Sequence, residues 1–340
     1  MHPTRTGVPA ANVPRCCVLQ SKESSYSSSP PRMDFRLSRN PLRLAVALAA
    51  LLPLVATAQQ PAPAPDPSAL VHRAVANYLA EEEAPSRHPV RFFFHKHDDR
   101  RDFTQDIMET AQGDVALTVA ANGKPLSPAD HQTQIDRLDN LAAHPDLQAH
   151  RQKREQEDTA RVDKMLRLLP DAFLWHDEGS VPCTVTVPPE VQVPGHSFPP
   201  PPILAPATCD HLTFAPKPGW TPPDAEARIF EGMAGELWIE SSRERLVRLS
   251  AHLIQDVDFG WGIVGRLNKG GTVLLEQTEF PGGDWELSRM NLNLTGKILM
   301  VKSVSFRMTE EMAHYAPLPP NLDYRKAIRM LESDPSPSGH

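Results

Sequence analysis

From Asp210 to about residue 308 apolar and polar residues alternate with a period of two. Val247, Leu249, Ala251, Leu253, Val257 and Phe259 fall on one side; Arg248, Ser250, His252, Asp256 and Asp258 fall on the other. Leu237 and Ile239, Val273 and Leu275, and Ile298, Met300, Val304 and Phe306 continue the alternation. Gly270-Gly271, Gly282-Gly283 and Thr295-Gly296 read as turns between the runs. Successive strands with one apolar face predict a meandering antiparallel sheet covered on that face.

Upstream the period changes. Leu70, Val71, Ala74, Val75, Tyr78 and Leu79 recur at helical spacing and predict a helix over 68–83. The β-prone runs PVRFFFHKHD, DFTQDIMETA and DVALTVAANG predict three antiparallel strands. Ser127 as N-cap, Pro128 and Asp130 open a helix whose Ile135, Leu138 and Leu141 share a face. A second, highly charged helix spans about 146–169. Prolines crowd 61–67, 188–206 and 317–320, which reads as linker or extended loop. The predicted fold is therefore α+β: a curved antiparallel sheet, an open half-barrel, covered by helices. It forms a single domain over 68–320, with a helical excursion (127–176) and a proline-rich loop (183–209). A tail over 321–340 carries a short helix and ends in a disordered Ser/Pro/Gly segment.

The N-terminus bears on location. Arg36, Arg39 and Arg43 precede an apolar run from Leu44 to Val55, and Ala56-Thr57-Ala58 offers a cleavage site before Gln59. That is the layout of a secretory signal peptide over 33–58, too short for a span of about 20 apolar residues; an uncleaved anchor is the alternative. Residues 59–67 form a Pro/Ala linker. Residues 1–32 are either a disordered leader or lie upstream of a true start at Met33. The expected location is the periplasm or the outer membrane.

Export changes the charge and the meaning of the cysteines. Residues 1–58 hold seven of the 35 Lys/Arg and two of the 42 Asp/Glu, so the remainder has a net charge near −12. Phosphate backbones demand the opposite sign, which argues against nucleic acid as a partner. The run RQKREQEDTARVDK at 151–164 mixes both signs and reads as a solvated helix face. Cys183 and Cys209 are left as a pair; in an exported protein they predict a disulfide, with two free thiols as the alternative.

Several motifs invite chemistry. Gly260, Gly262 and Gly265 make a G-x-G-x-x-G run, but the residues after Gly265, RLNKGGTVLLEQTEF, read as a turn and a strand, where a dinucleotide site needs a helix N-terminus. Ser197 in GHSFP lacks the strand-to-helix turn of a nucleophile elbow. His95 and His97 share a strand face without a third ligand at a diagnostic spacing. His176-Asp177-Glu178 reads as a polar turn. Glu236, Glu240, Glu276 and Glu279 could pair for acid–base work, but alternation places most of them on the solvated face, as solubilising residues. NLT at 293–295 is a chance glycosylation sequon. No cofactor, metal or catalytic residue is implied.

GMAGELWIE, LVRLSAHL, DFGWGIVGRLNKGG and DWELSRMNLNLTGKIL, with a weaker match in ETAQGDVALTVAANGKPLSPAD, resemble a family of exported proteins of the acidobacterial type. In architecture that family is similar to the periplasmic lipoprotein-carrier (outer-membrane lipoprotein-sorting) superfamily. The resemblance covers about half of the chain beyond Ala58. It implies an open half-barrel that holds acyl chains or a partner against its concave face, and it carries over no site residue.

The expected function is a non-catalytic cell-envelope binding protein for a lipid, an acyl chain or an apolar protein segment. Its candidate concave lining is Leu237, Ile239, Leu249, Leu253, Phe259, Val273, Leu275, Trp285, Met300, Val304 and Phe306; the bland alternative is an ordinary core. A second possibility is an envelope interaction or stress-sensor module with a protein partner and no small-molecule ligand; a third is a hydrolase with a site hidden from sequence. If the signal peptide is real, N-terminal sequencing of the native protein begins at Gln59. A protein that retains Met33 defeats the export reading.

Overall fold

The computed structural model describes residues 66–84, 87–183, 191–198, 207–259, 265–280, 285–298 and 302–333. The signal peptide with Ala58 and Gln59, the residues Gly260, Gly262, Gly282, Gly283 and Met300, and much of the proline loop lie outside them.

The chain opens with α1 (Pro67–Glu82), where the Asp66 side chain accepts a hydrogen bond from the Ser68 N–H at 3.0 Å. A meander comes next: β1 (Val90–Asp98), β2 (Asp102–Met108), β3 (Val115–Ala121) and the short β4 (Lys124–Pro125). Then come α2 (Pro128–Ala143), capped as expected by Ser127 on the Asp130 N–H, and α3 (Pro145–Ala172). A second meander runs through β5 (Phe173–Cys183), β6 (Ala207–Pro216), β7 (Met233–Glu240), β8 (Arg245–Leu253), β9 (Val257–Phe259), β10 (Gly265–Leu267), β11 (Thr272–Glu279), β12 (Trp285–Ile298) and β13 (Lys302–Pro317). A 3-10 turn (Ala227–Gly232) precedes β7, and α4 (Tyr324–Ser333) closes the described chain.

Among the described residues all thirteen strands join one antiparallel sheet, ordered β4-β3-β2-β1-β13-β12-β11-β8-β7-β6-β5, with β10 attached to β12 and β9 to β10. The path does not close, so the fold is α+β with an open sheet. Register shifts interrupt it between Arg91 and Phe93, Thr104 and Gln105, Asp177 and Gly179, Trp238 and Ile239, and Glu276 and Gln277. Each bulge adds local twist, which is how a sheet this wide curls. Two glycines are required by close approach: a Cβ at Gly235 would run into the Ser250 carbonyl, and one at Gly296 into the Arg266 carbonyl.

Pair register separates two faces. Leu212, Leu237, Leu249 and Leu275 oppose one another in turn, and the same row continues through Met290, Glu310 and Lys96 to Phe103. On this face α1 packs Val71, Ala74, Val75 and Leu79, and the end of α3 packs Leu169 and Ala172, against β5–β8. The opposite face is covered at the other end of the sheet, where α2 and α4 pack Leu138, Leu141, Ala327, Ile328 and Leu331 onto Met108, Val115 and Leu117. Arg87 ties the layers together. Its buried guanidinium meets Glu82 at the end of α1, Glu109 after β2 and Glu286 in β12 at 2.9–3.6 Å. Burial alone would lower its pKa, but these three carboxylates raise it.

Four expectations change. Val247 does not share a face with Leu249. Trp238 opposes Arg248 while Ile239 opposes Leu246, so Val247 is the extra residue of a bulge and packs with Cys209 and Trp285. His176-Asp177-Glu178 is strand, not turn, with Glu178 extra opposite β6. Thr295-Gly296 continues β12, because the missing Cβ lets β10 approach. The 151–164 run is not wholly solvated: Thr159 is buried, and Gln152 donates to the Ala111 carbonyl, beside Gln148, just outside the run, which is buried and donates to the carbonyls of Gln112 and Gly113.

Cys183 and Cys209 form a disulfide joining the ends of β5 and β6 across 26 residues. Eight prolines already stiffen the enclosed loop, so replacing both cysteines by serine is expected to lower the unfolding free energy by roughly 2–3 kcal/mol. Urea denaturation measures it; an unchanged midpoint would show that the bridge adds nothing.

Candidate functional site

Two rows of side chains run back to back across the middle of the sheet. The first is polar. His95, Glu311, Arg289, Glu276, Arg248, Trp238 and His211 oppose one another on β1, β13, β12, β11, β8, β7 and β6. Directly opposed residues have Cβ atoms about 5 Å apart, within reach of one another. Asp102 Oδ1 meets His95 Nε2 at 3.2 Å, and His95 Nδ1 lies 3.6 Å from Glu311. Arg289 bridges Glu311 at 3.3 Å and Glu276 at 3.0 Å. Glu276 is 3.7 Å from Arg248, whose guanidinium lies over the Trp238 ring. Trp238 stacks on His211, and His211 Nε2 meets Glu236 at 3.3 Å.

The second row, one residue away on every strand, is apolar except at one pair. Lys96 Nζ donates to Glu310 Oε1 at 2.6 Å, with both side chains buried. Phe103 flanks the pair on one side and Met290, Leu275, Leu249, Leu237 and Leu212 continue the row on the other. The second oxygen of Glu310 is buried without a hydrogen-bond partner.

The carboxylates expected to be solubilising are therefore partly structural. Glu276 is 3 % exposed and bound between two arginines. Glu240 is equally buried and caps the β7–β8 turn, accepting from the Ser242 N–H and hydroxyl and from the Arg243 N–H at 2.6–3.0 Å. Burial pushes its pKa up, but these donors outweigh it and hold the carboxyl below its ordinary value. Glu279 is forked onto Arg243. Alternation assigned Glu240 and Glu276 to the polar face; it could not show that arginines from neighbouring strands close over Glu276.

His95 is the part of the polar row nearest to acid–base chemistry. Its contact with the Glu311 carboxylate raises its pKa, with Asp102 adding to it against the effect of burial. In return His95, and then the charge of Arg289, hold Glu311 below its ordinary value despite burial. Both ring nitrogens face carboxylates, so the imidazolium is stabilised as a clamp with no nitrogen left to take a substrate proton. His97 meets Asp102 at 3.3 Å. Among the described residues no group of three or more His, Cys, Asp or Glu is arranged to hold a metal. Ser197 is exposed in an irregular segment whose Val191, Val193 and Phe198 pack on Phe93 and Ala313. Gly265 starts strand β10, paired with β9 and β12, and no helix comes after it before β11.

The proposed lining residues separate into three groups. Leu237, Ile239 and Leu253 are 0–1 % exposed in the protein's own core, and Leu249, Phe259 and Val273 pack against that core. Trp285 belongs to the cluster with Cys209 and Val247, under the guanidiniums of Arg243 and Arg245. Leu275 and Val304 are half-buried, and Phe306 is 50 % exposed. Phe306 opposes Leu294, which packs against the core, so the two share its face. Leu292 and Met308 form the next opposed pair and are only half-buried. Here β1 ends: Asp98 opposite Met308 is its last pairing with β13, and Lys302–Arg307 pair with β12 alone. A cleft of about 400 Å3 opens at that step, lined by His97, Asp98, Leu292, Arg307 and Met308 among others.

No protein-family model matches the chain, and neither a curated protein nor a solved structure matches it. Among the described residues no helix is long and apolar enough to cross a membrane.

The raised pKa of His95 makes its clamp pH-dependent. Its contribution is full below the unfolded value of about 6.5 and fades as pH rises through the folded value. His95→Gln is therefore expected to destabilise the fold by roughly 1 kcal/mol near pH 6 and by less near pH 9. Urea denaturation at the two pH values checks it; equal losses would mean that His95 acts as a neutral packing residue.

Proposed function

We propose that this chain is an exported cell-envelope protein that holds a fatty acyl chain along the uncovered apolar strip of β12 and β13. The observation that carries the reading is the position of Leu292, Leu294, Phe306 and Met308. They share the face of the buried core, yet α1 and α3 cover that face over β5–β8 and leave these four half-buried or exposed. Isolated apolar residues at a surface need no explanation, but a contiguous patch running out from a core marks a binding surface. At about 3.4 Å per residue, the strip from Met290 to Ile298 is roughly 27 Å long, enough for a long acyl chain.

The expected affinity is modest. Burial contributes about 0.8 kcal/mol per methylene. A sixteen-carbon chain lying half-buried on an open strip would gain on the order of 6 kcal/mol before the ordering costs of binding. That is a weak, exchangeable hold, which suits a carrier. The signal-like N-terminus and the disulfide support an oxidising, extracytoplasmic setting. The resemblance of the β7–β12 sequence to an exported family whose architecture is similar to that of lipoprotein carriers is in keeping with this reading. The polar row supports a non-catalytic reading, since its charged groups satisfy one another.

The test is a binding titration with a fluorescent fatty acid, with lipid extraction and mass spectrometry of the native protein beside it. Phe306→Arg places a charge on the strip at a half-exposed position, so the fold is expected to survive, as circular dichroism will check, while binding weakens at least tenfold. Leu253→Arg, by contrast, buries an unpaired charge in the core and is expected to unfold the protein. A folded Phe306→Arg variant with undiminished binding rules the strip out.

A further inference from the structure

A cleft between α2 and α3 gathers positive charge in an acidic chain. It encloses about 560 Å3, and Arg137 from α2 faces His150, Arg151, Lys153 and Arg154 from α3 across it, with Leu147 on its wall. Helical spacing explains the cluster: residues three and four apart share a side, which brings His150, Arg151 and Arg154 together. Glu157, which also lines the cleft, is the counter-ion of Lys153, 3.8 Å away. The two inner arginines do not. Arg137 donates to the Gln134 side chain and to the Ala116 carbonyl, both neutral acceptors. Arg151 keeps a buried Nε without a hydrogen-bond partner. Among the described residues neither forms an ion pair. Glu155, the acidic neighbour on α3, accepts from the Asp114 N–H at 3.1 Å and makes no ion pair with the arginines, although the charges of Arg151 and Arg154 act on it. Burial, and then the charge of Arg151, pull the Arg137 pKa down to about 10.

Partly buried guanidiniums normally meet carboxylates, because leaving a charge unpaired away from water is costly. Two that repel each other across a cavity, with no carboxylate in ion-pair contact with either among the described residues, leave room for an anion, and their planar donor forks fit an oxyanion with several acceptor atoms. We propose that the α2–α3 cleft binds a phosphate-type oxyanion, gripped by Arg137 and Arg151 with Arg154 at the mouth. The anion can come from free phosphate compounds or from a phospholipid headgroup. Leu147, 40 % exposed beside the arginines, would lie against the first methylenes of a lipid. The cleft is built from other elements than the β12–β13 strip, and its occupancy does not depend on acyl binding there.

Calorimetric titration of the mature chain with inorganic phosphate, and co-sedimentation with phosphatidylglycerol or phosphatidylcholine vesicles, test the site. Arg151→Gln is expected to weaken binding at least tenfold. Arg154→Gln, at an exposed position that leaves the fold intact, is expected to weaken it several-fold. Arg161→Gln, on the same helix but paired with Asp158 and Glu226, should change nothing. Retention on phosphatidylglycerol but not phosphatidylcholine vesicles, lost in the two cleft variants, assigns the headgroup. Phosphate binding with the same pattern and no vesicle retention assigns a soluble phosphate compound. No binding of either by the wild type, binding that survives both cleft substitutions, or equal loss in Arg161→Gln overturns the proposal.

Discussion

Pairing between β1 and β13 joins two meanders that would otherwise be separate sheets. One runs β1 to β4, the other from β5 to β13, and among the described residues only this seam makes them continuous. It carries a charge pair on each face: Lys96 with Glu310 buried on one, His95 with Glu311 on the other. A strand that slips by one residue turns every side chain to the opposite face. At this seam a slip would also part both pairs and move Phe92, Phe94 and Met312 out of their buried cluster. Buried ion pairs often add little net stability, but they can specify register. The two here are placed where register matters most.

With the seam fixed, the two faces take different characters. The polar row crosses seven strands with each charge answered by its neighbour, ending in an arginine on tryptophan and a tryptophan on histidine. Such a face has little unmet demand for a ligand. The other face is apolar and relies on helices for cover. Since α1 and α3 reach only as far as β8 and the strands near it, the apolar surface runs on uncovered to the free part of β13. A single sheet thus carries a self-paired charged side and a partly uncovered apolar side one residue apart.

Much of this was legible in the chain. Alternation placed the strands from Asp210 onward, Ser127-Pro128-Asp130 placed the start of α2, and two cysteines in an exported-type sequence paired. What alternation could not supply was anything that depends on the partner strand. Val247 changes face because β8 has one residue more than β7 opposite it, a local excess invisible within either strand. Glu276 looked solvated because its arginines lie on β8 and β12, not beside it in sequence. Glu240 was hidden by a turn whose donors lie two and three residues further on. Leu237 and Phe306 carry the same alternation signal, yet one is core and the other surface. The reach of the covering helices decides that.

The seam also has a consequence in time. Lys96 and Glu310 are 214 residues apart, so β1 emerges from synthesis long before its partner. Until β13 arrives, β1 holds Phe92, Phe93 and Phe94 on an unfinished edge, the kind of strand that recruits other chains. Closing a loop of that length also makes pairing slow. A chain built in this way exposes an apolar edge to its own copies for as long as it waits.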